Sequence, residues 1–121
     1  MYILAIDQGT TGSTSMIVDA KNFNIISKAN TEFRQILPSP GIVEHNLDDI
    51  WESVKLSTIK AISDAKIDPE DIKSIGITNQ RETIAAFTKD GKPIENAIVW
   101  QDRRTVDFCE QLKSQGKENL I

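Results

Sequence analysis

The chain has 121 residues, 39% hydrophobic and 26% charged, which is enough for one core of ordinary size and for no more than one domain or a piece of one. A formal net charge of -4 with dispersed basic residues argues against a nucleic-acid surface, and a single cysteine, Cys109, excludes an internal disulfide and suits a reducing compartment. No apolar run reaches membrane-spanning length, and Met1 enters a strand pattern with no charged-then-apolar leader, so a cytoplasmic protein without membrane insertion is expected.

Residues 2–7, 13–19 and about 24–33 have the β-branched, apolar content of three strands joined by tight turns, Lys21-Asn22 marking the second connection. Pro38-Ser39-Pro40-Gly41 cannot continue a strand and predicts a crossover to a helix capped near Asn46, with Asp48 and Asp49 favourably placed in its first turn. Leu47, Ile50, Trp51, Val54, Thr58, Ala61, Ile62 and Ala65 follow helical spacing, so this face is expected on the sheet. After a short turn at Asp68-Pro69-Glu70-Asp71, residues 72–78 read as a buried parallel strand. A strand near 83–88, a turn at Lys89-Asp90-Gly91-Lys92-Pro93, a short strand near 97–99 and a helix near 103–115 complete the pattern, with no internal repeat or low-complexity tract.

The first turn carries the clearest chemical signal. Tyr2-Ile3-Leu4-Ala5-Ile6-Asp7-Gln8-Gly9-Thr10-Thr11-Gly12-Ser13-Thr14 is an apolar strand delivering one carboxylate, continued by small residues rich in N–H and O–H donors. That combination suits a magnesium-bound polyphosphate. The chain contains neither G-x-x-x-x-G-K-[ST] nor a G-x-G-x-x-G opening a helix. The residues after Gly12, Ser13-Thr14-Ser15-Met16-Ile17-Val18-Asp19, favour a second strand, so the turn is a hairpin tip. By composition Gly-Thr-Thr-Gly is also a plain turn.

Three further segments come after it in order: Pro38-Ser39-Pro40-Gly41-Ile42-Val43-Glu44-His45-Asn46, Gly76-Ile77-Thr78-Asn79-Gln80-Arg81-Glu82-Thr83 and Ala97-Ile98-Val99-Trp100-Gln101-Asp102-Arg103-Arg104. Together with the hairpin they closely resemble the carbohydrate-kinase family, and within it the glycerol kinases, over nearly the whole chain. The hairpin itself resembles the first phosphate loop of the superfamily of actin, hexokinase and the 70-kDa chaperones. The resemblance implies an α/β, ribonuclease-H-like (actin-like ATPase) domain with a mixed sheet: an antiparallel three-strand meander, a crossover helix and a parallel strand. It implies ATP-dependent phosphorylation of glycerol with Mg²⁺, giving sn-glycerol 3-phosphate, in a homo-oligomeric cytoplasmic enzyme that binds no nucleic acid. Asp7 would hold the metal, and Thr10, Thr11, Gly12 and Ser13 would donate to phosphate oxygens, glycine permitting close backbone approach. Arg81 and Glu82 would bind the glycerol hydroxyls, one giving and one taking hydrogen bonds, and Trp100 would wall the carbon backbone. Residues 1–121 would then be the N-terminal part of the first such domain, about a quarter of a full kinase, with Ile121 no natural end. The general base and the adenine pocket would lie beyond it, leaving this stretch inactive by itself. One position departs from the pattern: glycerol kinases commonly carry arginine where this chain has Thr14, which offers a hydroxyl and no charge.

Two other readings remain. A sibling kinase acting on a pentulose or gluconate would differ in the set Arg81, Glu82 and Trp100; a non-enzymatic actin-like ATP-binding module is favoured by the hairpin alone and opposed by Asn79–Thr83. Elsewhere, lone His45 is expected to hydrogen-bond locally, with a role in joining the crossover to the helix also open. Arg103 and Arg104 are expected to pair with nearby acids at a helix start. Cys109 has core spacing with Val106 and Leu112 and is expected to be a buried thiol. No Cys/His cluster with metal-ligand spacing is present.

Overall fold

Tyr2–Gln8 (β1) and Gly12–Asp19 (β2) pair antiparallel from Tyr2 opposite Asp19 to Gln8 opposite Ser13, which confines the connection to Gly9, Thr10 and Thr11. The computed structural model describes residues 1–118. Gly9 N donates to Gly12 O at 2.9 Å and closes the tip. Gly12 is required for a reason other than ligand approach: a Cβ there would meet Thr31 O at 2.7 Å, so β2 lies this close to Ile25–Glu32 (β3) because the side chain is missing.

β3 continues the meander antiparallel to β2, and the crossover beyond it holds Glu44–His45 (β4) and the helix Leu47–Ala65 (α1). Asn46 caps α1 through Oδ1, which accepts from Asp48 N at 2.9 Å and Asp49 N at 3.0 Å, and Lys66 ends it in the left-handed conformation. A 3-10 turn, Pro69–Asp71, then leads into Ile72–Asn79 (β5), which returns parallel to β1 and gives the order β3-β2-β1-β5. Meander, crossover helix and parallel strand form the mixed sheet expected from the sequence.

The face on which α1 seats itself departs from the apolar stripe. Its buried residues are Ser53, Ser57 and Ala61, small side chains that bring the helix close over β2 and β3. Ser13 Oγ lies 2.7 Å from Ser53 Oγ, Ser15 Oγ lies 2.9 Å from Ser57 Oγ, and Ser27 Oγ donates to Ala61 O at 2.6 Å. The buried hydroxyls are satisfied in pairs, which removes the penalty that ordinarily keeps serine out of a core. Leu4, Ile17, Ala29 and Ala61 form the apolar centre, with Ile62 and Ala65 packed on it as expected. Trp51 instead stays exposed and, with Val54, borders an apolar groove of about 610 Å³ open toward β5.

β5 is parallel but not buried. It is an edge strand, and Ile75 and Ile77 are 60% and 72% exposed because no other described element covers them. Residues 83–88 do not form a strand. Ile84 and Phe87 make single bridges to Ile98 and Pro93, the proline lacks the N–H that would extend a ladder, and Glu82 turns the chain at φ 62°. Ala97–Ile98 (β6) pairs with β4. The last helix, Val106–Ser114 (α2), starts later than 103 because Asp102 Oδ1 accepts from Arg104 N at 2.8 Å and Arg103 N donates to Gly41 O at 2.7 Å, holding 102–104 in a turn. Cys109 is exposed, contrary to the core spacing: α2 has no fully buried residue, and of its apolar side chains Val106 and Phe108 are exposed with it while Leu112 is half-buried.

Candidate active site at the carboxyl edge of the sheet

The hairpin tip and the end of β5 lie side by side because β1 and β5 are parallel and in register to Gln8 opposite Asn79, after which Gln80 N donates to Gln8 O at 2.7 Å. Beyond that bond the chain opens into a pocket of about 380 Å³ lined by Thr10, Gln80, Arg81, Glu82 and Trp100. The carboxyl ends of parallel strands are where α/β sheets collect ligands. Arg81, Glu82 and Trp100, widely separated from Thr10 in sequence, therefore share one cavity with this residue of the hairpin tip, while Asp7, Thr11, Gly12 and Ser13 do not line it.

Glu82 sits in the left-handed region, which strains a residue with a Cβ, and it lines the pocket beside Arg81. Trp100, 48% exposed, donates through Nε1 to Thr10 Oγ1 at 3.0 Å, and its backbone N lies 3.4 Å from Thr83 Oγ1. Behind the pocket, Thr83 Oγ1 donates to Gln80 Oε1 at 2.9 Å, and Gln80 Nε2 lies 3.3 Å from His45 Nδ1. His45 Nε2 is 2.8 Å from Gln35 Oε1, and Gln35 Nε2 donates to Thr10 O at 3.1 Å. His45 is completely buried, with Phe33 edge-on to its ring at 4.9 Å, and burial pushes its pKa down. A local turn contact is therefore too small a description of this side chain. Gln35, Gln80 and Thr83 carry no signal of this role in the sequence, where neither glutamine nor threonine has a pattern that separates a buried link from a surface residue.

Asp7 projects from the sheet face opposite α1. In register beside it stand Thr78 on β5 and Thr14 on β2, and Asn30 lies opposite Thr14 on β3. Asn30 Nδ2 donates to Thr14 Oγ1 at 2.9 Å, so a hydrogen-bonded amide stands beside the position that departs from the family pattern. The Asp7 carboxylate is exposed, in a shallow hollow with Ala5, Met16 and Thr78. Among the described residues there is no group of three or more His, Cys, Asp or Glu side chains able to hold a metal. A lone open carboxylate suits magnesium, which keeps several waters and takes its remaining ligands from a polyphosphate. Ser13 is not an open hydroxyl donor, since its Oγ is completely buried against Ser53.

Arg104 pairs with acids as expected, bridging Glu44 Oε1 at 2.7 Å and Asp102 at 2.9 Å. Its hydrogen bond holds the Asp102 carboxyl far below the usual range, and, with Asn96, lowers Glu44. This cluster ties β4 to the turn that carries Trp100; among the described residues Arg103 has no such ion pair.

A mixed sheet in this order, with a hydroxyl-rich hairpin tip and a polar pocket at its carboxyl edge, defines the actin-like ATPase class of α/β domain. Within that class the chain belongs to the FGGY family of carbohydrate kinases, whose N-terminal domain matches residues 2–121. It is 54% identical over 121 residues to glycerol kinase 2 of Thermotoga maritima and to the glycerol kinase of Borreliella burgdorferi, covering 99% of this chain and 24% of each relative. The chain thus spans about a quarter of the length of these curated relatives. Among solved structures, Plasmodium falciparum glycerol kinase with ADP superposes with a TM-score of 0.80 at 32% identity over 93% of this chain and 23% of that one. A xylulose kinase from Lactobacillus acidophilus superposes with a TM-score of 0.87 at 22% identity over 96% of this chain and 23% of that one, a likeness of fold.

Proposed function

We propose that the full-length protein phosphorylates glycerol at a terminal hydroxyl, with Mg-ATP as donor, and that residues 1–121 are the N-terminal part of its first ribonuclease-H-like domain. The observation that carries this is the shared pocket: the turn residue Thr10 and the polyol set Arg81, Glu82 and Trp100 line one cavity. Glycerol kinase relatives at 54% identity support the choice of acceptor. A polyol hydroxyl needs both a donor and an acceptor, and Arg81 and Glu82 supply one of each. Trp100 presents an apolar ring for the carbon chain while its N–H is occupied by Thr10. Thr10 and Thr11 give the phosphates hydroxyl and backbone donors, Gly12 shapes the turn, and Ser13 anchors it to α1. Asp7 would hold magnesium, which neutralises developing phosphate charge when bound. The base that takes the hydroxyl proton and the adenine pocket lie outside this stretch, which is inactive alone. A homo-oligomeric cytoplasmic enzyme is the corresponding reading for the whole protein; for the described residues, no helix is long and apolar enough to cross a membrane.

The test is coupled ADP release by the full-length protein with glycerol, a pentulose and gluconate. Glycerol-dependent turnover well above the other two is expected. Preference for the pentulose or gluconate would replace the acceptor, and sedimentation with ATP but no turnover would favour an assembling module.

A further inference from the structure

We propose that His45 is a positioning residue that closes a hydrogen-bonded circuit holding the phosphate turn at Thr10 in register with the polyol pocket at Trp100. The inference rests on the kinase reading and adds to it a physical link between the two half-sites.

The donor and acceptor of every link are set by fixed groups. Gln35 Nε2 faces two backbone carbonyls, Thr10 O at 3.1 Å and Phe33 O at 3.4 Å, so that end of the amide is the NH₂ and Oε1 faces His45. His45 must then carry its proton on Nε2 and offer Nδ1 as acceptor. Gln80 Nε2 supplies the matching donor and also reaches Gln8 Oε1 at 3.4 Å, while Gln80 Oε1 receives Thr83 Oγ1. Thr83 Oγ1 stands within 3.4 Å of the Trp100 backbone N, and the Trp100 indole returns to Thr10 Oγ1 at 3.0 Å. The path leaves Thr10 by its carbonyl and comes back to it by its hydroxyl, with no donor facing a donor.

A completely buried imidazole serves this purpose because it has one donor and one acceptor at fixed separation and no rotatable bond between them. Break the circuit and the cost falls on the distance between phosphate donor and acceptor hydroxyl, which matters only where both must be held in line. Small misplacements of that kind lower turnover far more than the affinity of either substrate.

The experiment uses the full-length enzyme, with the acceptor first identified in the wild type from the panel of glycerol, pentulose and gluconate. His45→Leu removes both links, Thr83→Val removes the hydroxyl at constant shape, and His45→Gln keeps one donor and one acceptor. Loss of kcat by about tenfold or more is expected for the first two, with KM for acceptor and for Mg-ATP each moving less than about threefold, and recovery of most of kcat in His45→Gln. Thermal unfolding of each variant separates misfolding from misplacement, and if His45→Leu does not fold, Thr83→Val decides. Unchanged kcat in folded Thr83→Val, a rise in acceptor KM alone, or a His45→Gln no faster than His45→Leu would overturn the proposal. Nitrogen-15 shifts of His45 distinguish the two levels of failure. A proton on Nδ1 refutes the circuit alone, whereas a wild type that turns over none of the three acceptors refutes the kinase reading and the positioning role with it.

Discussion

Glu82 combines two properties that rarely coincide unless a site requires them, a charged side chain at the mouth of a pocket and a left-handed backbone. On the glycerol-kinase function proposed above, Arg81→Ala and Glu82→Ala in the full-length protein should each raise the glycerol KM by about tenfold to a hundredfold, the loss of a charge-assisted hydrogen bond, while the Mg-ATP KM stays nearly constant. Glu82→Gly adds a second readout: glycerol binding weakens equally, yet the unfolding temperature rises, because relief of the left-handed strain gains about 1 kcal/mol. Asp7→Asn should behave oppositely to the Arg81 variant, lowering kcat with little change in glycerol KM, since the amide keeps the shape and loses the charge. Steady-state kinetics with each substrate varied in turn reads both. The residue types of this site were legible in the sequence because motif residues keep fixed spacing; that Thr10 lines the same pocket as Arg81, Glu82 and Trp100 was not, since ninety residues separate it from Trp100.

Among the elements, α1 shows how apolar periodicity identifies a helix and assigns its face only in part. The cap at Asn46 and the helical spacing were both legible, and the helix runs over Leu47–Ala65. Its contact surface is a stripe of Ser53, Ser57 and Ala61, chosen by the serines of β2 that meet it and by the close approach small side chains permit. Ala61, completely buried against the sheet, leaves no room for a larger group. Ala61→Leu should therefore destabilise by about 1–3 kcal/mol, whereas Ser63→Leu on the exposed side of the same helix should fall within about 0.5 kcal/mol of the parent. Unfolding midpoints of the two variants compare them directly. Equal effects would mean that α1 does not seat on this stripe.

For the molecule as a whole, the ionisable groups joining the crossover to the segment around Trp100 make stability fall toward acid. His45 is neutral and buried with its pKa below the ordinary 6.5, so the unfolded chain binds its proton first. The native state accordingly loses stability as pH drops below about 6.5, until the folded His45 itself titrates. Glu44 and Asp102 have lowered pKa values through Arg104, and the stability they contribute is present above their ordinary values of 4.5 and 3.8 and is lost as pH falls through the folded ones. The unfolding temperature should thus decline in two stages on acidification. His45→Gln should remove the first stage and Arg104→Gln should reduce the second, as read by calorimetry across this range. A profile flat down to pH 4.5 in the parent would contradict the buried neutral histidine.

The sequence by itself determined the meander, the crossover helix, the parallel return strand and the family, because these rest on local periodicity, turn chemistry and motifs of fixed spacing. It also marked Asp7, Thr10, Arg81, Glu82 and Trp100 as candidate site residues. Only the tertiary structure decided which side chains are covered and which meet. Ser13, Ser53 and Ser57 are buried, while Ile77 and Cys109, apolar by pattern, are exposed. His45, a lone histidine in the sequence, is completely enclosed between Gln35 and Gln80. The physical reason is the same in each case: burial and hydrogen bonding are properties of pairs, and each partner here is set by strand register and helix seating among segments distant in the chain.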